Sequence, residues 1–260
     1  GRMETDYDFS SAVFAEDLID AELIGRSAGE RTIKKLGARS AKTGQFPVIF
    51  DSRVSRSLTG HFTSAVNGAS IARGSSFLKD KMGQKIANSS INVTDDPLRP
   101  RGFGSRRFDG ETLPVKQQQL IKDGMLQSWL LDLASASQLG LKSTGNASRS
   151  LSSPPTPGSS NCMIVNGDIT FEALIADIKQ GFLVTELIGS SVSLTTGDYS
   201  RGAAGFWIEN GEIAYPVTEA TIAGNLKEMF FEMTPADDID LRFSTAAPSI
   251  RVDGMMVAGG

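Results

Sequence analysis

Between Glu16 and Leu36 the apolar residues Ile19, Leu23, Ile24, Ala28, Ile33 and Leu36 recur at helical spacing, and Gly37 stands where a helix would stop. That pattern predicts an amphipathic helix. Pro47-Val48-Ile49-Phe50 is a short, β-prone apolar run and predicts a buried strand, followed by a helix with a small apolar face from about Ser52 to Val66. Turn signals recur at Asp123-Gly124, Asn210-Gly211 and Asp253-Gly254, each flanked by apolar residues. Asn, Asp and Gly tolerate the positive backbone angles of a type I′ turn, so each predicts a hairpin. Thr170 to Gln180 places Phe171, Leu174, Ile175 and Ile178 on one helical face and ends at Gly181. Asn225 followed by Glu228 resembles a capping box for a last helix through Phe231. The mixture predicts an α+β fold, a mixed, largely antiparallel curved sheet with packed helices.

Residues 142–161, rich in Ser, Thr, Pro and Gly, predict a long loop. It is either a linker or a loop that contacts a partner. Composition does not change across it, so a single domain is expected over residues 16–260. Gly1-Arg2-Met3 reads as an expression remnant opening a mobile acidic segment, residues 1–15.

With 260 residues, 40% of them hydrophobic, the chain can bury a sizeable core. A net charge of -4 argues against nucleic acid as the main partner, since phosphate neutralisation needs a basic face. No apolar run approaches the roughly 20 residues of a membrane span, and no signal-peptide pattern opens the chain, so a cytoplasmic protein is expected. The single cysteine, Cys162, cannot form an internal disulfide and enters an apolar run, where it reads as a core residue.

Chemistry is limited by what the chain lacks. A metallopeptidase helix needs two histidines about a turn apart and a carboxylate to act on metal-bound water, but this sequence has one histidine, His61. His61 lies among Ser57, Thr59, Thr63 and Ser64 and reads as a satisfied structural residue or, less simply, as a general base. Sequence neighbours on one helix rarely form such a relay, and no Gly-x-Ser-x-Gly elbow exposes a nucleophile. Gly140-Leu141-Lys142-Ser143-Thr144 lacks the glycines of a phosphate loop, and Gly202-Ala203-Ala204-Gly205 reads as close backbone packing or a bend before a hairpin. Arg99 to Phe108 interleaves arginine with aromatics; a solvated loop or a contact for an acidic partner fits it better than single-strand binding.

The run Gly197-Asp198-Tyr199-Ser200-Arg201-Gly202-Ala203-Ala204-Gly205-Phe206-Trp207-Ile208-Glu209-Asn210-Gly211-Glu212-Ile213, continued through Tyr215 to Glu219 and Thr221 to Lys227, closely resembles the C-terminal domain of the TldE (PmbA) subunit of the TldD/TldE protease family. Members have also been labelled modulators of DNA gyrase. In metal-bearing TldD subunits a His-Glu-x-x-x-His helix and a later cysteine supply the zinc site. The matching region here, Ser57 to Gly68 around Thr59, Gly60 and His61, has neither the Glu nor the second His, and the tail Asp240 to Ala246 has no cysteine. The resemblance therefore implies a subunit with no catalytic or metal residues and no cofactor of its own, zinc residing in a TldD-like partner. It further implies a heteromeric complex that degrades or trims unfolded peptides, with this chain walling part of the substrate chamber. Asp198, Tyr199, Ser200 and Arg201 then read either as a structural turn, with Arg201 pairing Asp198, or as a cleft or subunit contact. A stand-alone regulator that binds gyrase or another protein without proteolysis is the competing expectation. A homodimer of the isolated chain is also expected, because an apolar subunit surface left alone tends to pair with itself.

Overall fold

Leu58, Thr59, Phe62 and Ala65 fall one helical turn apart and are buried together, which fastens the helix after the first strand to the centre of the molecule. The computed structural model describes residues 3–260, so Gly1 and Arg2 of the expected remnant lie outside the described residues. A single 3-10 turn at Ala15–Asp17 precedes α1 (Ala21–Lys34), β1 (Gly44–Phe50), α2 (Ser52–Ala65), α3 (Gly68–Arg73) and β2 (Val93–Asp95). Next come β3 (Gln118–Lys122), β4 (Met125–Leu126), α4 (Leu133–Gln138), β5 (Ala147–Ser148), β6 (Thr156–Pro157), β7 (Cys162–Ile164) and α5 (Phe171–Ile175). The chain ends with β8 (Gln180–Val192), β9 (Asp198–Glu209), β10 (Glu212–Asn225), α6 (Leu226–Met229), β11 (Met233–Pro235), β12 (Thr245–Ala246) and β13 (Ile250–Gly259).

The fold is α+β, and its main sheet curves until it closes. Strands run in the order β1-β8-β9-β10-β13-β11, and β13 also pairs with β1, which shuts a ring of strands and leaves β11 as an added edge. Every pairing in it is antiparallel except β1 with β8. A second sheet, β12-β7-β2-β3-β4, lies against the other side of α2.

Around the end of β1 and the strand segments paired with it through β8 and β9, the closed sheet is buried on both faces. Val48, Phe50, Phe182, Val184 and Trp207 join one apolar cluster, while the alternate residues Ile49, Leu183 and Ile208 pack with Leu174, Ile175 and Ile178 beside α5. Burial on both faces explains why Val48-Ile49-Phe50 is continuously apolar rather than alternating.

Two of the three predicted hairpins form. Asp123 and Gly124 (φ 50° and 76°) join β3 to β4, and Asn210 and Gly211 (φ 51° and 81°) join β9 to β10. Asp253-Gly254 instead lies inside the unbroken strand β13, as a bulge. Phe46 faces Met255 and Val48 faces Val252, so Asp253 and Gly254 together stand opposite Pro47. Proline has no N–H to give the ladder, and the bulge, with Gly254 at φ 74°, takes up the break. The predicted helix at 170–180 is only α5, capped by Thr170, because Gln180 already enters β8. Asn225 caps α6 as expected, but α6 is a single short turn that ends before Phe231. The helix expected from Glu16 begins at Ala21, capped by Asp20, and its stripe does not face the core: Leu23, Ile33 and Leu36 are exposed. The 142–161 loop folds its two halves together through β5 and β6.

Candidate functional site

Three stretches singled out by sequence, α2, the start of β9 and the tail, converge with β8 on one cleft. α2 supplies Arg53, Val54, Arg56 and Ser57; β8 supplies Thr185, Glu186 and Leu187; β9 supplies Arg201; and the tail supplies Phe243, Ser244 and Thr245. Its volume is about 930 Å³. The tail is pinned to α2 by hydrogen bonds from Thr59 Oγ1 to the Ala246 carbonyl (3.0 Å) and from Ser55 Oγ to the Ala247 carbonyl (3.3 Å).

His61 and Tyr199 meet edge to face, ring centres 5.8 Å apart. Tyr199 is fully buried, and its Oη, like His61 Nε2, has no hydrogen-bond partner among the described residues. The expectation of a satisfied histidine fails at that nitrogen. Burial, and then the Arg201 charge, depress the His61 pKa, so the imidazole is neutral at pH 7. Burial likewise pushes the Tyr199 phenol well above its ordinary value. Of the four residues at the start of β9, Arg201 lines the cleft and Tyr199 is core. Asp198 accepts from Thr196 Oγ1 (2.5 Å) and Asn225 Nδ2 (3.1 Å), an exposed turn in which Arg201 takes no part.

These residues do not fit a catalytic metal. A zinc site needs three or four nitrogen, sulfur or carboxylate donors. His61 has a cation for its charged neighbour, and Cys162 is fully buried in the second sheet, its thiol pushed up by burial and by Asp95. Among the described residues no group of three or more His, Cys, Asp or Glu side chains could hold a metal ion.

Two arginines of the basic stretch are engaged within the chain. Arg101 pairs with Glu16 and Asp17 and lies over Phe14, and Arg99 donates to the Phe243 carbonyl at 3.1 Å.

Sequence reasoning missed what crosses the cleft. Residues 5–9 of the leading segment lie along it as a strap. Asp6, its side chain 3% exposed, stands 3.0 Å from Lys35 Nζ and 3.2 Å from Arg53 Nη1; Asp8 pairs with Arg31 at 3.2 Å. Lys35 also donates to the Thr5 carbonyl (3.1 Å) and Arg31 to the Tyr7 carbonyl (3.3 Å). Phe9 stacks beside Tyr7 and meets Phe243 edge-on. The alternation Asp6-Tyr7-Asp8-Phe9 was the available signal.

Burial opposes ionisation of Asp6, yet the Lys35 hydrogen bond, the Tyr7 amide and Arg53 together hold its pKa below 3.8. Asp8 is also depressed, burial again opposing and Ser27, the Phe9 amide and Arg31 prevailing. A depressed carboxylate contributes its full attachment above its free value and loses it as pH falls through the bound value. The strap should therefore stay seated from pH 7 to about pH 4 and release below it. Tyr7 resonances followed by nuclear magnetic resonance would read this; a transition centred near pH 6 would contradict it.

The family model for the PmbA/TldA metallopeptidase C-terminal domain matches residues 43–259. The chain belongs to the PmbA/TldD family. Metalloprotease PmbA of Escherichia coli O157:H7 is 41% identical over 260 residues, covering 100% of this chain and 56% of that protein. A Bacteroides thetaiotaomicron crystal structure labelled as a modulator of DNA gyrase superposes with a TM-score of 0.86 at 31% identity, covering 96% of this chain and 55% of its own. TldE from Thermococcus kodakarensis gives a TM-score of 0.83 at 26% identity, covering 93% and 56%. The chain thus spans a little over half the length of these PmbA/TldD relatives. Among the described residues no helix is long and apolar enough to cross a membrane.

Proposed function

We propose that this chain is a non-catalytic subunit of a TldD/TldE-like zinc metalloprotease complex of the cytoplasm that degrades or trims unfolded peptides. It forms part of the substrate chamber, and the metal belongs to a TldD-like partner subunit. The observation that carries this reading is the pairing behind the cleft: the chain's one histidine is neutral, rests on the buried Tyr199 and has as its charged neighbour Arg201, which does line the cleft, and among the described residues no group of three or more His, Cys, Asp or Glu side chains could hold a metal ion. A cleft lined by main-chain-binding cations and aromatic rings suits retention of an extended peptide better than bond cleavage.

The test is metal content and peptidase activity of the full-length protein, alone and mixed with a TldD-like chain from the same organism. Alone it should be inert and free of zinc. The mixture should cleave an unfolded peptide, and His61→Ala should change its rate by no more than about twofold, as for a residue outside the reacting groups. Cleavage by the isolated chain that His61→Ala abolishes would overturn the proposal. Copurification with gyrase, and with no metal-bearing homologue, would instead support the stand-alone regulator.

A further inference from the structure

We infer that the basic groove beneath residues 5–9 is a binding site for extended peptides that alternate acidic and aromatic residues, and that the strap occupies part of it in cis. The inference rests on the proposed function only in treating the cleft as a peptide site, which it deepens by naming the peptide class.

The strap is held in a manner that suits a peptide ligand. Its carbonyls at Thr5 and Tyr7 accept from Lys35 and Arg31, contacts that any sequence could make. Its carboxylates at Asp6 and Asp8 sit on Lys35, Arg53 and Arg31, contacts that select acid. Phe9 rests on Phe243, which selects a ring. Carboxylate, carbonyl and ring contacts all fall within five successive residues.

The groove also exceeds its occupant. A second cleft of about 580 Å³ opens on the other side of the strap and shares Asp6, Lys35, Arg53 and Thr185 with the first. Asp6 is the partition between them. Two cations of the larger cleft are not neutralised by the strap at all. Among the described residues Arg56 forms no ion pair, acting on Asp240 only at longer range, and it lies over the Phe243 ring at 4.2 Å. Arg201 forms none with a described residue either, and its Nε is buried with no acceptor among them. A buried guanidinium nitrogen without an acceptor is costly, and a carboxylate brought by a ligand would satisfy it. Arg31, moreover, pairs among the described residues with the strap's Asp8 alone, so a displaced strap leaves a cation ready for an acidic replacement. Asp51, Glu186 and Asp240 also border the two clefts, but Arg53 takes Asp51 at 3.4 Å, Arg242 takes Asp240 at 2.6 Å and Lys35 takes Glu186 at 2.9 Å, which leaves Arg31, Lys34, Arg56 and Arg201 without a carboxylate of the clefts' own. The surplus charge of the groove is positive.

The test uses the full chain and a fluorescent peptide of the strap's own sequence, Glu-Thr-Asp-Tyr-Asp-Phe-Ser, read by anisotropy at low salt. The chain carrying Asp6→Asn and Asp8→Asn, whose strap is weakened, should bind the peptide at least about tenfold more tightly than the unaltered chain. Adding Arg31→Glu or Arg53→Glu, the arginines that hold the strap's own aspartates, to that variant should remove most of the gain, as should replacing both aspartates of the peptide by asparagine. In the unaltered chain, excess peptide should accelerate amide exchange of residues 5–9. This second reading holds even if the double variant folds poorly. Equal affinity for the neutral peptide, no effect of the arginine substitutions, or unchanged exchange at residues 5–9 would overturn the inference. Because the readout is binding to this chain alone, it can fail while cleavage by the mixed complex succeeds, and the reverse.

Discussion

Trp207→Ala should lower stability by about 3–5 kcal/mol, the range for emptying a large aromatic site in a core. Trp207 is fully buried in the closed sheet, meeting Phe46 edge-on at 5.0 Å and lying 6.4 Å from Phe182. These contacts tie β9 to β1 and β8, so the vacated space borders three strands of the ring and backbone pairing prevents them from closing over it. For a chain of this size the loss corresponds to a fall in Tm of roughly 6–20 °C. Trp207→Phe is the informative companion. The indole Nε1 is buried without an acceptor among the described residues, so phenylalanine removes an unpaired donor while it keeps most of the apolar contact, and the penalty should be less than half that of alanine. Urea unfolding of the two variants would measure both effects. A loss below about 1 kcal/mol for alanine would show that the sheet does not depend on this side chain.

Gly205→Ala should be costly for the opposite reason. A Cβ at Gly205 would lie 1.9 Å from the Leu183 carbonyl oxygen and 3.0 Å from the Thr185 amide nitrogen. Both are backbone atoms of the neighbouring strand, which no rotamer change can move. Register explains the crowding: Gly205 faces Val184 and Ala204 faces Glu186, so β8 carries an extra residue, Thr185, as a bulge pressed towards Gly205. The expected cost is about 3 kcal/mol, the upper end of overpacking. Thr185 lines both clefts, so the same variant should weaken peptide binding in the groove. Gly202→Ala in the same strand is the control, because its nearest atom is the Ile188 side-chain Cβ at 3.3 Å, where a small adjustment suffices. If the two variants melt together, the close approach at Gly205 is not what makes glycine necessary there.

Much of the local structure could be read from residue pattern. The apolar face of α2, the strand at Pro47 to Phe50, the Asn225 cap and two of the three hairpins each depend on residues within a few positions of one another. The misread positions share a different cause. Asp253-Gly254 carries a hairpin signal, but its conformation is decided by Pro47, about two hundred residues away in the chain and directly opposite in the sheet. Likewise the helical pattern at 170–180 stops at α5 because β8 competes for Gln180, and pairing to β9 through Glu209 prevails. α1 shows the converse. Its periodicity is real, yet packing leaves Leu23, Ile33 and Leu36 outside, since helix formation does not itself specify what covers the apolar stripe.

The candidate site divides along the same line. That a single histidine cannot supply the two-histidine helix of a metallopeptidase is a count of residues, and it holds before any fold is known. The run around Asp198 to Ile213 likewise identifies the family directly, because its turn and small-residue strand form one local unit. What only the tertiary structure decided is which residues share a space. Closure of the sheet through β1 and β13 brings Arg201, α2 and the tail to a single cleft, and it sends Tyr199 inward while Asp198 remains at a surface turn. The same closure lays Asp6 against Lys35 and Arg53, turning an unremarkable acidic stretch into the occupant of a basic groove. Local sequence sets backbone preference and chemical inventory; proximity between distant segments arises from burying both faces of one curved sheet, and no short stretch of the chain encodes it.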